Sequence, residues 1–98
     1  MKGKDCIATD HAYKRARERL KWKKSTLDRM MVLAFDKGIT HAAAKGTLEK
    51  YITKRWERNK SVNNIRIYGE NVYFFSNNRL ITIYRIPNYL TKYLKNFK

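Results

Sequence analysis

The stretch Asn64–Ile86, which reads NIRIYGENVYFFSNNRLITIYRI, decides the fold of this chain. Apolar residues alternate with other residues along much of it, which is the period of half-buried β-strands. Gly69-Glu70 and Asn77-Asn78 interrupt the alternation and suit two-residue hairpin turns. The stretch therefore predicts an antiparallel meander of three strands: Asn64–Tyr68, Val72–Ser76 and Arg79–Ile86.

Two-residue turns also fix the register of the predicted meander. Ile67 then faces Val72, and Phe74 faces both Ile65 and Ile81. Directly opposed residues share a face of a sheet. One face is therefore entirely apolar and comprises Ile65, Ile67, Val72, Phe74, Ile81 and Ile83.

The other face of the predicted meander is rich in aromatic and polar side chains. Arg66, Tyr73 and Thr82 line up across its three strands, and Tyr84 lies beyond them. Aromatic rings can stack on bases, and an arginine can hold a phosphate. The alternative is that another element covers this face, so that Tyr73 only packs.

The residues before the meander have the 3.6-residue period of helices. Asp10 predicts the N-cap of a first helix. The capping-box pattern Ser25–Asp28 predicts the start of a second helix, and Gly38 its end. Thr47 predicts the start of a third.

The pattern as a whole predicts one α+β domain spanning residues 1–98. Two to three N-terminal helices pack on a three- to four-stranded antiparallel meander, and a short C-terminal helix follows. The C-terminal helix is free either to cover the second sheet face or to bind a protein partner. The expected parts are an arm at 1–8, with Cys6–Ala8 as a candidate edge strand, a helical part at 10–60, the sheet at 64–87 and the C-terminal helix at 88–98.

The charge of the chain points to a polyanionic partner. Twenty-three Lys and Arg residues against eight Asp and Glu give a formal net charge of +15. Such a chain repels itself, so we expect the charge to serve nucleic acid, with RNA favoured over DNA, or an acidic protein. No apolar run reaches the roughly 20 residues of a transmembrane segment. Two histidines and one cysteine predict neither a metal site nor a cofactor, and the single thiol suits the reducing cytoplasm.

The first helix carries a polar stripe formed by His11, Arg15, Glu18 and Arg19. An imidazole can transfer a proton near neutral pH, and guanidinium groups bind phosphate bidentately. This stripe is therefore a candidate for metal-free phosphodiester chemistry. The alternative is a solvated helix face with an internal Arg15–Glu18 pair.

Two motifs carry a resemblance to a known group of proteins. The opening His11, Arg15 and Glu18-Arg19 resembles the H-x-x-x-R-x-x-E/R start of some small barnase–EndoU–colicin–RelE (BECR) proteins. The closing run Leu80–Tyr84 resembles the last strand of that group, a hydrophobic-Thr-hydrophobic-Tyr pattern. The resemblance implies a metal-independent ribonuclease fold whose catalytic positions here would be His11, Arg15, Thr82 and Tyr84. In style the chain is also similar to small phage or mobile-element proteins.

We therefore expect a basic protein directed at RNA, with a metal-independent endoribonuclease as its enzymatic form. The alternative is a non-enzymatic phage or mobile-element factor that binds nucleic acid or an acidic host protein. The oligomeric state stays open. The residues expected to bind nucleic acid are Arg19, Lys23, Lys24, Arg66 and Tyr73.

Overall fold

A computed structural model describes residues 2–58 and 61–96 of the chain, which form one sheet with helices on both faces. The elements are β1 (Ile7–Ala8), α1 (Asp10–Leu20), α2 (Lys24–Lys37), β2 (Ile39–Thr40), α3 (Gly46–Trp56), β3 (Asn64–Tyr68), β4 (Asn71–Ser76), β5 (Arg79–Arg85) and a C-terminal 3-10 helix (Asn88–Asn96). Short 3-10 turns also occur at Gly3–Asp5, before β1, and at His41–Ala43, between β2 and α3. The five strands lie in the order β1-β5-β4-β3-β2.

The α+β class and the β3–β4–β5 meander are confirmed. The β3–β4 register agrees with the prediction, because Ile65 faces Phe74 and Ile67 faces Val72. The sheet is nevertheless mixed and five-stranded, so the purely antiparallel meander was wrong in extent. β1 pairs in parallel with the start of β5, and β2 pairs antiparallel with β3. The candidate edge strand at Cys6–Ala8 is present as β1, at one edge of the sheet. β2 was not predicted, because a strand of two residues is too short to show an alternating pattern in the sequence.

A β-bulge in β5 changes the predicted register. Phe75 faces Leu80 as expected from the two-residue turn, but Phe74 faces Thr82. Ile81 is therefore an extra residue between these two pairs. A bulge places two residues of one strand opposite one of the other and reverses the alternation beyond it.

The bulge moves three side chains to the face opposite to the one predicted. Ile83 faces Tyr73, whereas Thr82 and Tyr84 lie on the Val72–Phe74 face. The predicted row Arg66–Tyr73–Thr82 therefore does not form, although Arg66 does face Tyr73.

Helices cover both faces of the sheet. The sequence predicted that helices pack on the sheet, but it did not indicate which helix lies on which face. α1 and α2 pack on the face of Tyr73 and Phe75, and their apolar side chains complete that core. α3 and the C-terminal 3-10 helix pack on the face of Val72 and Phe74. Tyr73 is fully buried, so the alternative in which this residue only packs is the one the structure adopts.

The helix ends differ from the predicted ones in their caps. Thr9, and not Asp10, caps α1, because its Oγ1 accepts the N–H of Ala12 at 3.1 Å. Its hydroxyl also donates to Leu80 O at 2.9 Å, which ties the start of α1 to β5. α2 begins at Lys24 and α3 at Gly46, both without a side-chain cap. The predicted C-terminal helix is a 3-10 helix.

Gly38 is the C-cap of α2, so the predicted end of this helix is confirmed. Its backbone is extended, and an added Cβ would collide with the carbonyl oxygen of Ala34, which explains why this position holds a glycine. Phe97, which the sequence placed in the C-terminal helix, lies outside the described residues. Within 2–58 and 61–96, the chain contains no helix of the length and hydrophobicity needed to cross a bilayer.

Candidate functional site

The outer edge of β5 is where the predicted site residues meet. β1 pairs only with Arg79 and Leu80, so β1 leaves the rest of that edge uncovered. Side chains from both helical layers hydrogen-bond to its carbonyl groups instead. Arg19 of α1 donates to Ile83 O at 2.9 Å, and Tyr51 of α3 donates to Arg85 O at 3.4 Å.

Two arginines converge on the ring of Tyr84 at this edge. The guanidinium carbon of Arg19 lies 4.2 Å from the ring centre, and that of Arg55 lies 5.2 Å from it. Both distances are typical of cation–π contacts. Since both guanidinium carbons lie near one ring centre, the distance between them is at most about 10 Å. This limit equals the Debye length at 0.1 M salt. We call Arg19, Tyr84 and Arg55 the arginine cluster.

The bulge at Ile81 is what brings Tyr84 to the cluster. Tyr84 lies on the α3 side of the sheet and meets Phe74 edge-on, with ring centres 5.4 Å apart. Without the bulge, the alternation of β5 would turn this ring toward the core beneath α1 and α2. A local irregularity of one strand therefore positions the central ring of the site.

Arg19 keeps hydrogen-bonding capacity for an external partner. Both of its hydrogen bonds use Nη1, which donates to Ile83 O and to Thr82 Oγ1 at 3.2 Å. Both acceptors are neutral, and in the described part of the chain no carboxylate forms a salt bridge with Arg19. Its Nε and Nη2 donors form the edge with which arginine binds a phosphate bidentately.

Arg55 belongs to a basic hollow beside the cluster. The hollow has a volume of about 400 Å³ and is lined by Tyr51, Lys54, Arg55, Glu57 and Arg58. Arg55 also lies 5.3 Å from the ring centre of Tyr51. The lining of this hollow thus carries three cationic side chains and one carboxylate.

The polar stripe of α1 does form, but it contacts the cluster only through Arg19. Arg15 Nε donates to His11 Nε2 at 3.3 Å, and Arg15 Nη1 pairs with Glu18 at 2.7 Å. The hydrogen bond to Arg15 lowers the pKa of the Glu18 carboxyl. The Nε2 atom of His11 is therefore a hydrogen-bond acceptor in this arrangement.

Among the described residues, no hydrogen bond or ring contact joins His11 to Thr82 or Tyr84. Those two side chains contact Arg19, eight residues further along α1. Eight helical residues correspond to about 12 Å along the axis. The BECR-like positions thus fall into two groups, His11 with Arg15 and Thr82 with Tyr84, and Arg19 is the stripe residue that joins the second group.

The remaining predicted residues lie elsewhere. Arg66 donates to Gly38 O at 3.1 Å and to Asn64 Oδ1 at 2.9 Å, so it fastens the end of α2 to β3. Lys23 and Lys24 are exposed at the start of α2. The fully buried Tyr73 cannot reach a ligand, and burial raises the pKa of its hydroxyl.

Sequence reasoning missed Arg55 and Tyr51 as site residues. They lie one helical turn apart, at the border of the apolar face of α3. That spacing is a signal for a cation over a ring within one helix. Nothing in the sequence indicated that α3 lies on the same side of the sheet as Tyr84, because the bulge decides that side.

Within the described ranges no group of three or more His, Cys, Asp or Glu side chains is placed to hold a metal ion. Comparison with protein-family models found no match, and comparisons with curated proteins and with solved structures found none either.

Proposed function

We propose that this protein binds nucleic acid, with RNA favoured, and that the arginine cluster is the centre of the binding surface. The observation that carries the proposal is the convergence of Arg19 and Arg55, from opposite helical layers, on Tyr84. Both guanidinium carbons lie near one ring centre, at 4.2 Å and 5.2 Å, so like charges come close together here. Such charges repel, and a phosphate group that contacts both guanidinium groups would turn this repulsion into attraction.

The charge of the whole chain supports the same partner. With a net charge of +15, the chain attracts a polyanion over a long range, and the cluster supplies the contact at short range. Among the described residues, neither of the salt bridges Arg15–Glu18 and Arg85–Glu70 involves Arg19.

Binding, and not cleavage, is the activity that the geometry favours. A general base must lie within hydrogen-bond reach of the proton that it removes. His11 precedes Arg19 by about two turns of α1, and its ring accepts a hydrogen bond from Arg15. Among the described residues, the hydrogen bond of the His11 ring joins it to Arg15 and not to the arginine cluster, so its contacts do not support a role as general base for a phosphate held there. The BECR-like ribonuclease expectation stays an untested prediction.

The test is a titration of a fluorescein-labelled RNA of about 20 nucleotides in EDTA, read by anisotropy across salt concentrations. The logarithm of the affinity should fall linearly with the logarithm of the salt concentration. Arg19→Gln should weaken binding about tenfold or more, because a hydrogen bond to a charged group contributes about 1.5–3 kcal/mol. It should also reduce the slope of the salt dependence by about one.

Arg17→Gln is the matched control. Arg17 is an exposed arginine on the same helix, two residues away and thus on a different side of α1. Equal losses in the Arg19 and Arg17 variants would contradict a defined site, and no retention of RNA or DNA at low salt would contradict the function. Gel analysis of the same samples reports cleavage, and cleavage lost in His11→Ala would replace the binding proposal with the ribonuclease.

A further inference from the structure

A second hollow adjoins the basic one along α3. It has a volume of about 510 Å³, which lies within the usual range for small-molecule sites. Tyr51 lines both hollows, so the two share a wall. Tyr89, from the C-terminal 3-10 helix, lines the far side and is 69% exposed. We call this second hollow the α3 groove.

The two hollows differ in charge. The hollow at the arginine cluster contains Lys54, Arg55 and Arg58 against Glu57. The α3 groove contains Lys50 and Lys54 against two carboxylates, Glu49 and Glu57, so its charges balance. A lining with balanced charges favours a phosphate less than the basic hollow does. A nucleobase is neutral, has aromatic faces and carries both donors and acceptors at its edge.

We propose that the α3 groove receives an unpaired base of a nucleic-acid strand whose backbone phosphate lies at the arginine cluster. The inference rests on the proposed function and adds that the strand is single. Tyr89 offers an exposed ring face for stacking, and Tyr51 adds an aromatic side chain to the lining. Stacking on an aromatic side chain requires a base that is not already paired. Lys50 and Lys54 can donate to base carbonyl groups, and Glu49 can accept from base amino groups.

The test compares three labelled ligands of equal length in EDTA: a single-stranded RNA, its duplex and a strand of abasic spacers. The wild-type protein should bind the single strand at least fivefold more tightly than the other two, since stacking contributes about this factor or more per base. Tyr89→Ala should weaken binding of the single strand at least fivefold and leave the abasic strand unchanged. Tyr89→Phe, which keeps the ring, should bind like the wild type.

The controls separate this inference from the proposed function. Ile7→Ala removes another exposed apolar side chain, 62% exposed in β1, and should leave all three affinities unchanged. Arg19→Gln should weaken the abasic strand and the single strand alike, because it acts on the backbone. Equal binding of duplex and single strand, no effect of Tyr89→Ala, or equal weakening of the normal and abasic strands by Tyr89→Ala would each overturn the base site while the backbone site stands. Failure of the wild type to bind any of the three ligands would remove both.

Discussion

Arg19 lies with its guanidinium carbon 4.2 Å from the centre of the Tyr84 ring, and this contact joins the end of α1 to the edge of β5. The same side chain donates to Thr82 Oγ1 and Ile83 O, so its orientation is set by three neighbours on one strand. An arginine fixed in this way loses little further conformational entropy when it binds a phosphate. The contact therefore makes the cluster preorganised for an anion.

Replacing Tyr84 should separate the role of its ring from that of its hydroxyl. Tyr84→Leu removes the cation–π contacts with both arginines and should lower both the free energy of unfolding, by about 1 kcal/mol or more, and the affinity for RNA. Tyr84→Phe keeps the ring face and should bind like the wild type. Urea unfolding and anisotropy titration on the same samples provide the two readouts. A Leu variant with wild-type affinity would show that the ring does not organise the site.

Arg66 should behave as a structural residue. Arg66→Gln removes its hydrogen bonds to Gly38 O and Asn64 Oδ1 and its contact with Phe35, whose ring centre is 6.0 Å from the guanidinium. We expect the free energy of unfolding to fall by about 1–3 kcal/mol, because the Gly38 carbonyl loses its charged partner. Arg29→Gln, an exposed change of equal charge on α2, is the control for both stability and binding. RNA affinity that drops in Arg66→Gln but not in Arg29→Gln would place Arg66 in the binding surface after all.

The contact between α1 and α2 should weaken at alkaline pH. The Tyr13 hydroxyl donates to Asp28 Oδ1 at 2.6 Å, and this hydrogen bond, followed by burial and the nearby carboxylates, raises the pKa of Tyr13 from 10.0 to about 12. A raised pKa means that the stabilisation is complete below about pH 10 and is lost as the pH rises through 12. The difference in free energy of unfolding between wild type and Tyr13→Phe should therefore shrink over that interval. Urea titrations at pH 9 to 12 measure it, with Tyr89→Phe as the control. A constant difference would mean that Asp28 does not couple to the ionisation of Tyr13.

The thiol of Cys6 should be unreactive in the folded protein. Burial and the carboxylates of Asp36 and Asp5 raise the pKa of Cys6 from 9.0 to about 11. At pH 8 the thiolate fraction falls about a hundredfold, and the higher nucleophilicity of a more basic thiolate restores part of the rate. Alkylation by iodoacetamide should thus be about tenfold slower than in the urea-unfolded chain. Equal rates in the two states would show that Cys6 is not in the environment described.

The part of the fold that depends on local patterns was accessible from the sequence. Alternation and turn residues gave the β3–β4 register, and helical periodicity located α1, α2 and α3 to within a few residues. The parallel pairing of β1 was not accessible, because two residues carry no period and the partner lies more than seventy positions away.

The bulge limited what could be predicted of the site. Ile81 continues the apolar alternation as well as any regular strand residue, so no local signal reveals that it is extra. The row of Arg66, Tyr73 and Thr82 depended on a regular β5 and failed with it. Arg19 contacts Thr82 and Tyr84, and the sequence had indicated all three as site residues. It indicated Arg19 as a residue that binds nucleic acid, and Thr82 and Tyr84 through the BECR resemblance.

A double-mutant cycle between Arg19 and Arg55 tests the central claim most directly. Affinity for the labelled single-stranded RNA is measured for the wild type, Arg19→Gln, Arg55→Gln and the double variant, and circular dichroism verifies that each is folded. If both arginines hold the same segment of backbone, the second substitution should cost less than the first, with a coupling of at least about 0.5 kcal/mol. The cycle between Arg17 and Arg29, two exposed arginines outside the cluster, should show none. Additive losses at Arg19 and Arg55, no larger than those at Arg17 and Arg29, would contradict the arginine cluster as a nucleic-acid site.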